Sequence, residues 1–548
     1  MTRSYRPVRA LPKMSSLVPV LASLLPLVAQ ANRVDALLAE RFEGDRSAAC
    51  VVAAVIDGDA VDTGRYCEDS ERAARLDSAF EIGSVSKTLN AALLAHQVAA
   101  GSLELDAPLS RYVPEGVAVP SKDGVAITLR HLVTHTAGLP ALPPGFAPSN
   151  AADPYADLSV EALFAALGKT ELASKPGSAW AYSNYGAMLL SAVIAKAVGG
   201  DYDAALRSSL FDPLNMRETG ATTLPSGVGD VVGHRPGGEA VSSWRFAPAL
   251  AGVGGVRATL ADMVRYVQAQ LGTGDADTVA ILKATQTPQS EVGRPMALGW
   301  LRSPLNGREL LAHEGGTGGF SSFVAFDPKA GRGVIVLADT ALTNLGGLSD
   351  VGVPLFDATV PVGAPRRAEV ATPEKIATLV GVYRLANGMA MQLGERDGRL
   401  TVQVPDQPEF VLDHDSRGDF YPQAFDALLK PAPGGEGFVW VQGGGAVPAT
   451  RVAATLGPSD APAAAPDLSD YAGTYPLMPG FELRVFAADG VLKAQATGQG
   501  AFDLAAAGRD RFEAKAFGIV IDFERDERDA VIALALAQGG QVMRGARR

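Results

Sequence analysis

The sequence predicts a multidomain protein of α/β plus β type: a large domain of mixed strands and helices, then two small antiparallel β-barrels. Three observations carry this expectation. At 548 residues the chain exceeds what one hydrophobic core usually supports. A long apolar helix and several short apolar strands occupy the part before Leu348. Past Leu348 the texture changes to short alternating strands, set out in two segments that match one another.

The chain opens on a pattern of export. Arg3, Arg6, Arg9 and Lys13 form a positive leader, Leu17 to Val28 is apolar, and Ala29-Gln30-Ala31 is a small-x-small cleavage site. Residues 1–31 therefore read as a signal peptide, too short in its apolar run to span a bilayer. The mature protein is expected to be periplasmic or secreted, with no membrane span after cleavage. Net charge is −12, and no Lys/Arg run stands out. That excludes nucleic acid and anionic membrane surfaces as partners and leaves a small-molecule or peptide substrate; oligomeric state stays open.

Cys50 to Ile56 and Val61 to Cys67 read as two strands joined around Gly58-Asp59, a turn that sets Cys50 directly opposite Cys67. Opposed residues lie at a separation a disulfide can bridge, which suits an oxidising compartment. A register slipped by one would leave two unpaired core cysteines instead.

Next comes Ser84-Val85-Ser86-Lys87, running into Thr88-Leu89-Asn90-Ala91-Ala92-Leu93-Leu94. A helix opening at Ser84 sets Lys87 on the same face, within reach of the hydroxyl, and places Ser84 among the unpaired N–H groups of a first turn. The apolar face beyond predicts a buried helix that stops at Gly101. Burial favours a neutral lysine, and a neutral Lys87 is a base for Ser84.

His131 and His135 stand at the i and i+4 spacing of a helical metal pair, but no carboxylate or cysteine completes a site locally, so they read as structural. No metal or organic cofactor is expected. Tyr182-Ser183-Asn184 precedes an apolar helix from Ala187 to Val198. Tyr182 offers a phenol for proton transfer and Asn184 a donor for a substrate carbonyl, or else Asn184 is an ordinary helix cap. His313-Glu314-Gly315-Gly316 leads to Phe320 and an alternating Phe323-Val324-Ala325-Phe326. This reads as one strand whose beginning is stripped of side chains so that a ligand can lie along it. There the Gly316 N–H would join that of Ser84 in an oxyanion hole worth about 3 kcal/mol per donor. His313 would face the same cleft.

These three motifs, in this order, resemble the serine β-lactamase and penicillin-binding-protein superfamily, in its branch of class C β-lactamases, D-aminopeptidases and β-lactamase-like esterases. The likeness also takes in Phe80-Glu81-Ile82-Gly83, Arg130 to Pro140, Gly254-Gly255-Val256 and Gly299-Trp300. It implies a β-lactamase/transpeptidase-like catalytic domain over residues 32–362, with Ser84 as the acylated nucleophile, Lys87 and Tyr182 as its base, and Asn184, His313, Gly315 and Gly316 around the substrate. Where many relatives carry Lys-Thr-Gly, this chain has His313-Glu314-Gly315. A neutral imidazole is a poorer anion receptor than an ammonium. Free-carboxylate substrates are thus disfavoured against esters, amides or substrates with a free amine. The resulting expectation is an exported serine hydrolase, D-aminopeptidase-like first. A carboxylesterase, a β-lactamase or D,D-carboxypeptidase, and a penicillin-binding sensor with barrel binding modules are the alternatives.

In the tail, Gly381-Val382-Tyr383 aligns with Gly473-Thr474-Tyr475, and Asp397-Gly398 with Asp489-Gly490, at a constant offset (473 − 381 = 92). The duplication predicts two barrels, 374–456 and 467–548, lipocalin-like in size, separated by the Ala/Pro-rich stretch Pro458 to Pro466. By resemblance to D-aminopeptidases, a loop of the last barrel enters the cleft, with Gly508-Arg509-Asp510 or Asp522 to Asp529 as its carboxylate source.

Overall fold

The computed structural model describes residues 33–73, 75–386, 388–404, 408–432, 437–442, 445–452, 468–478, 481–488, 491–497, 501–506, 510–514, 519–526, 528–538 and 541–548. The leader, the Pro458 to Pro466 stretch, Asp489-Gly490 and Gly508-Arg509 lie outside these residues.

The first domain is organised on a six-stranded antiparallel sheet. Its strands are β1 (Val51–Asp57), β2 (Ala60–Tyr66), β3 (Leu301–Leu305), β4 (Arg308–Gly316), β5 (Ser321–Asp327) and β6 (Arg332–Ala338), in spatial order β2-β1-β6-β5-β4-β3. Strand alternation divides its side chains between two cores. Val52, Ala54, Ile56, Val324, Phe326, Ile335 and Leu337 face the helical layer that holds the serine. Val51, Ala53, Val55, Phe323, Val334 and Val336 face the opposite layer, made by the helices Arg33–Phe42 and Ser349–Phe356. Because both faces are covered, β1 and β6 are continuous apolar runs.

The β1–β2 register pairs Val51 with Tyr66 and Asp57 with Ala60, so Cys50 and Cys67 meet as the hairpin required, and they are joined by a disulfide. The serine helix spans Ser86–Ala99 and is buried almost throughout. Ala100 caps it and Gly101 follows at φ 74°, the left-handed turn that ends a helix. His313 to Phe326 is a hairpin rather than the single strand expected: β4 ends at Gly316, the chain turns through Thr317 to Phe320, and β5 returns with Ser321 opposite Gly316. Phe320 fills the core beneath the turn, edge-on to Phe80.

The tail forms two barrels. In the first, eight strands from Gly381–Leu385 to Gly445–Arg451 close through pairing of Phe410–Asp415 with Phe420–Pro422, and the short strand Ala368–Glu369 adds to its edge. In the second, eight strands from Gly473–Met478 to Gln541–Ala546 follow in sequence order, and their ends meet where Arg548 N–H donates to the Thr474 carbonyl (2.9 Å). The repeat is visible in detail: Tyr383 and Tyr475 each donate to a carbonyl four residues back, Leu379 at 2.8 Å and Tyr471 at 2.9 Å.

Charge and apolar contact dock the first barrel on the first domain. Asp415, fully buried, receives Arg46 and Arg366 at 3.0 Å each, and Arg366 also holds Asp419 at 2.7 Å. The Arg46 guanidinium stacks over Tyr421, Arg417 reaches Asp350, and Leu428 enters the core beside Leu342 and Leu345. Arg366 lies in the connector before the barrel, which is thereby clamped in place. In the second barrel, Asp510 accepts from Tyr471 and Arg525, and Asp522 pairs with Arg511. Asp510 and Asp522, from the two segments expected to reach the cleft, thus pair with arginines of their own barrel.

Candidate active site

Ser84 lies in a 3₁₀ turn, Gly83–Val85, that runs directly into the helix beginning at Ser86. The turn can form only because Gly83 holds φ 49°, and a Cβ there would stand 2.6 Å from the backbone nitrogen of Gly316. On the facing strand a Cβ at Gly315 would overlap the Ile82 carbonyl oxygen, to which Ser322 Oγ donates at 2.8 Å. The glycines of β4 therefore let backbone lie on backbone, bringing the Gly316 N–H beside the serine turn.

One helical step along, Lys87 Nζ stands 2.9 Å from Ser84 Oγ and 2.6 Å from the Val253 carbonyl. The lysine is buried, and burial brings its pKa down to about 7, so near neutrality it is divided between ammonium and amine. Tyr182 completes the group. Its hydroxyl bonds to Ser84, its ring centroid lies 5.2 Å from Lys87 Nζ, and burial holds its phenol above the ordinary range, protonated at neutral pH.

Ser183, not Asn184, caps the next helix, Asn184–Ala197, accepting from the Gly186 N–H at 2.9 Å. Asn184 is thus freed from capping. Its Nδ2 donates to the Tyr155 hydroxyl at 3.5 Å, and its buried Oδ1 has no partner. His313 is buried at the end of β4 with Nδ1 on the Glu314 carbonyl (2.7 Å). Burial, and then the charge of Lys87, lower its pKa to about 4, so it is neutral at physiological pH and offers Nε2 as an acceptor. Alternation sends Glu314 to the other side of the strand, beside Gly347, where burial raises its carboxyl above the ordinary range against the opposing effects of Ser349 and Arg294.

The two histidines of the Arg130 to Pro140 segment part company. Their helix ends at Val133; His131 Nδ1 accepts from Thr128 N–H in a capping box, whereas His135, at φ 56°, packs 4.4 Å from the Tyr182 ring and accepts from Ser183 N–H at 3.2 Å. Burial, with Lys87 and His313 nearby, holds His135 well below the ordinary imidazole range. Among the described residues no cluster of His, Cys, Asp and Glu is arranged to hold a metal ion.

Sequence reasoning missed several neighbours of this group. His135 is buried and hydrogen-bonded, in keeping with its structural reading, but its packing against the Tyr182 ring is carried by no motif. Val253 gave a carbonyl to Lys87, with only the adjoining Gly254-Gly255 to hint at a tight approach. Tyr155 and Trp244 form an aromatic wall with Phe246, which stacks on Tyr155 at 4.9 Å, while Trp180 packs edge-on to His135; nothing in their spacing foretold it. Glu81, buried behind the serine turn, accepts from Trp244 N–H at 3.0 Å and bonds to Thr317, tying the wall to the β4–β5 turn.

A hydroxyl held by a buried amine and a phenol, beside a sheet between helical layers, is an arrangement suited to acyl transfer. The chain belongs to the β-lactamase family, whose model matches residues 33–350 and whose members are serine hydrolases. It is 30% identical over 293 residues to the D-alanyl-D-alanine-carboxypeptidase/endopeptidase AmpH of Escherichia coli K12, which spans 50% of this chain and 75% of that protein. It is 26% identical to penicillin-binding protein 4 of Amycolatopsis lactamdurans, over 64% of this chain and 97% of that protein. Among solved structures, a β-lactamase/D-alanine carboxypeptidase from Yersinia pestis, complexed with citrate, aligns with TM-score 0.49 at 25% identity, covering 60% of this chain and 98% of that one.

Proposed function

We propose that the chain is an exported serine hydrolase that opens amide or ester bonds through an acyl-enzyme at Ser84, and that its first substrates are D-aminoacyl amides. The observation that carries the reading is the 2.9 Å approach of a buried, half-neutral Lys87 to Ser84 Oγ. The amine, or the Tyr182 phenol acting with it, takes the serine proton as Oγ attacks the carbonyl carbon. The N–H groups of Ser84 and Gly316 receive the oxyanion. The leaving amine takes the proton back, and water then attacks the ester with the same groups as base. The unpartnered Asn184 Oδ1 is suited to a substrate N–H. The Cys50–Cys67 disulfide supports a periplasmic or secreted location.

Substrate preference is inferred from the third motif. With His313 neutral where many relatives carry a lysine, that position offers no ammonium to receive a substrate carboxylate, which favours amide and ester substrates without one. Release of p-nitroaniline from D-alanine p-nitroanilide, compared with p-nitrophenyl butyrate, nitrocefin and a D-alanyl-D-alanine peptide, tests this order. A second reading, D,D-carboxypeptidase, is favoured by the likeness to AmpH and by Arg294 near the same strand end. Faster release of D-alanine from the peptide than of p-nitroaniline from the anilide would establish it over the first.

A further inference from the structure

The first barrel is filled at one end only. There the helix Pro373–Leu379 acts as a plug, with Ile376 and Leu379 buried and Phe438 packed 4.8 Å from the Tyr383 ring. At the opposite end, where the strands reach Leu385, Val404 and Gln442, lies a cavity of about 410 Å³. Met389, Met391, Phe410, Phe425 and Trp440 wall it, Gln442 stands at its rim, and among the described residues no charged side chain lines it. The register pairs Trp440 with Val447 and Gln442 with Gly445, so all four share the inward face.

We propose that this cavity is a binding site for one medium-length acyl chain, whose carbonyl or carboxylate head sits at Gln442. The volume lies within the usual range of small-molecule sites, about 300–1,000 Å³. It has room for roughly a dozen water-sized heavy atoms, at about 30 Å³ each. The lining chemistry is that of an aliphatic guest: two thioethers that adapt to its shape, and aromatic rings set edge to face, Phe410 and Phe425 at 5.0 Å and 84°. Left unfilled, such a volume forfeits the dispersion contacts that the plugged end of the same barrel makes. Gln442 supplies the polar end. Its Oε1 accepts from Trp440 Nε1 at 3.1 Å, which leaves the exposed amide NH₂ as the donor to a ligand oxygen. The site is separate from Ser84 and independent of the reaction proposed there.

The test is titration of the full chain with N-phenyl-1-naphthylamine, followed by displacement with decanoate and with decanol. Saturation at one probe per chain is expected, with decanoate displacing it more strongly than decanol because only the carboxylate accepts fully from Gln442. Gly445→Trp and Val447→Trp push an indole into the space; Gly445 has open room, since a Cβ there meets only the Gln442 carbonyl oxygen at 3.5 Å. Each is expected to weaken probe binding by about tenfold or more while ester turnover and melting temperature hold. Unchanged probe binding in both variants, or loss of it after Ser84 has been acylated by a fluorophosphonate, would overturn the proposal; the latter would place the probe in the catalytic cleft.

Discussion

The Lys87 amine stands 2.9 Å from the Ser84 hydroxyl oxygen, with the Val253 carbonyl on its other side and the His135 and His313 rings close enough to feel its charge. Every polar neighbour there is neutral or divided at pH 7, so the lysine has no carboxylate to hold its proton. Burial is what tunes it.

The pH dependence of acylation follows. Burial depresses the Lys87 pKa, so the amine form appears as pH rises through about 7. The Tyr182 phenol lies above its ordinary range and stays protonated past this window. kcat/KM should therefore climb about tenfold per unit below pH 7 and level above it. A rate flat from pH 5 to 8 would refute Lys87 as the base. The same shift bears on stability: folded Lys87 binds fewer protons than unfolded Lys87 between about 7 and its ordinary 10.5, so its penalty is full below 7 and fades as pH rises across that window.

Ser84→Ala should give no covalent adduct with a fluorophosphonate by intact mass. Lys87→Ala and Tyr182→Phe should each retain the fold and lower kcat by about 10²–10⁴, the range of a general base. An adduct on the Ser84→Ala protein would place the nucleophile elsewhere.

Gly315→Ala inserts a methyl into the Ile82 carbonyl and parts β4 from the serine turn. We expect about 1–3 kcal/mol of destabilisation by denaturant melting and a larger proportional loss of kcat, because the Gly316 N–H moves with the strand. Loss of stability with kcat intact would show that Gly316 is no oxyanion donor.

Asp415→Ala leaves the Arg46 and Arg366 guanidinium groups buried without their shared carboxylate. The cost should be about 3–5 kcal/mol, seen as an early thermal transition of the first barrel and its connector. A melting curve that overlays the parent would mean the docking rests on apolar contact alone.

Removing the disulfide with Cys50→Ser and Cys67→Ser reopens a loop of sequence separation 17. A loss of about 3 kcal/mol is expected by chemical denaturation, with Ser84 acylation unaffected below the new midpoint.

Much of this molecule was legible from local pattern. The Cys50–Cys67 register followed from one turn, the serine helix and its end at Gly101 from hydrophobic run and glycine, and the twin barrels from the 92-residue repeat, because each depends on neighbours in sequence. The hairpin at Gly316 was not legible as such, because its run of glycines suits a strand stripped of side chains as well as the turn that Gly318-Gly319 makes.

What the chain determined alone was therefore the inventory: serine, amine, phenol, amide and imidazole, each on an element of predictable kind. Their convergence belonged to tertiary structure, which brought a carbonyl from residue 253, a ring from residue 135 and a strand end from residue 316 against one turn. The reason is physical. Burial and electrostatic environment are properties of everything packed around a group, and for Lys87 that packing comes from segments more than two hundred residues away in the chain.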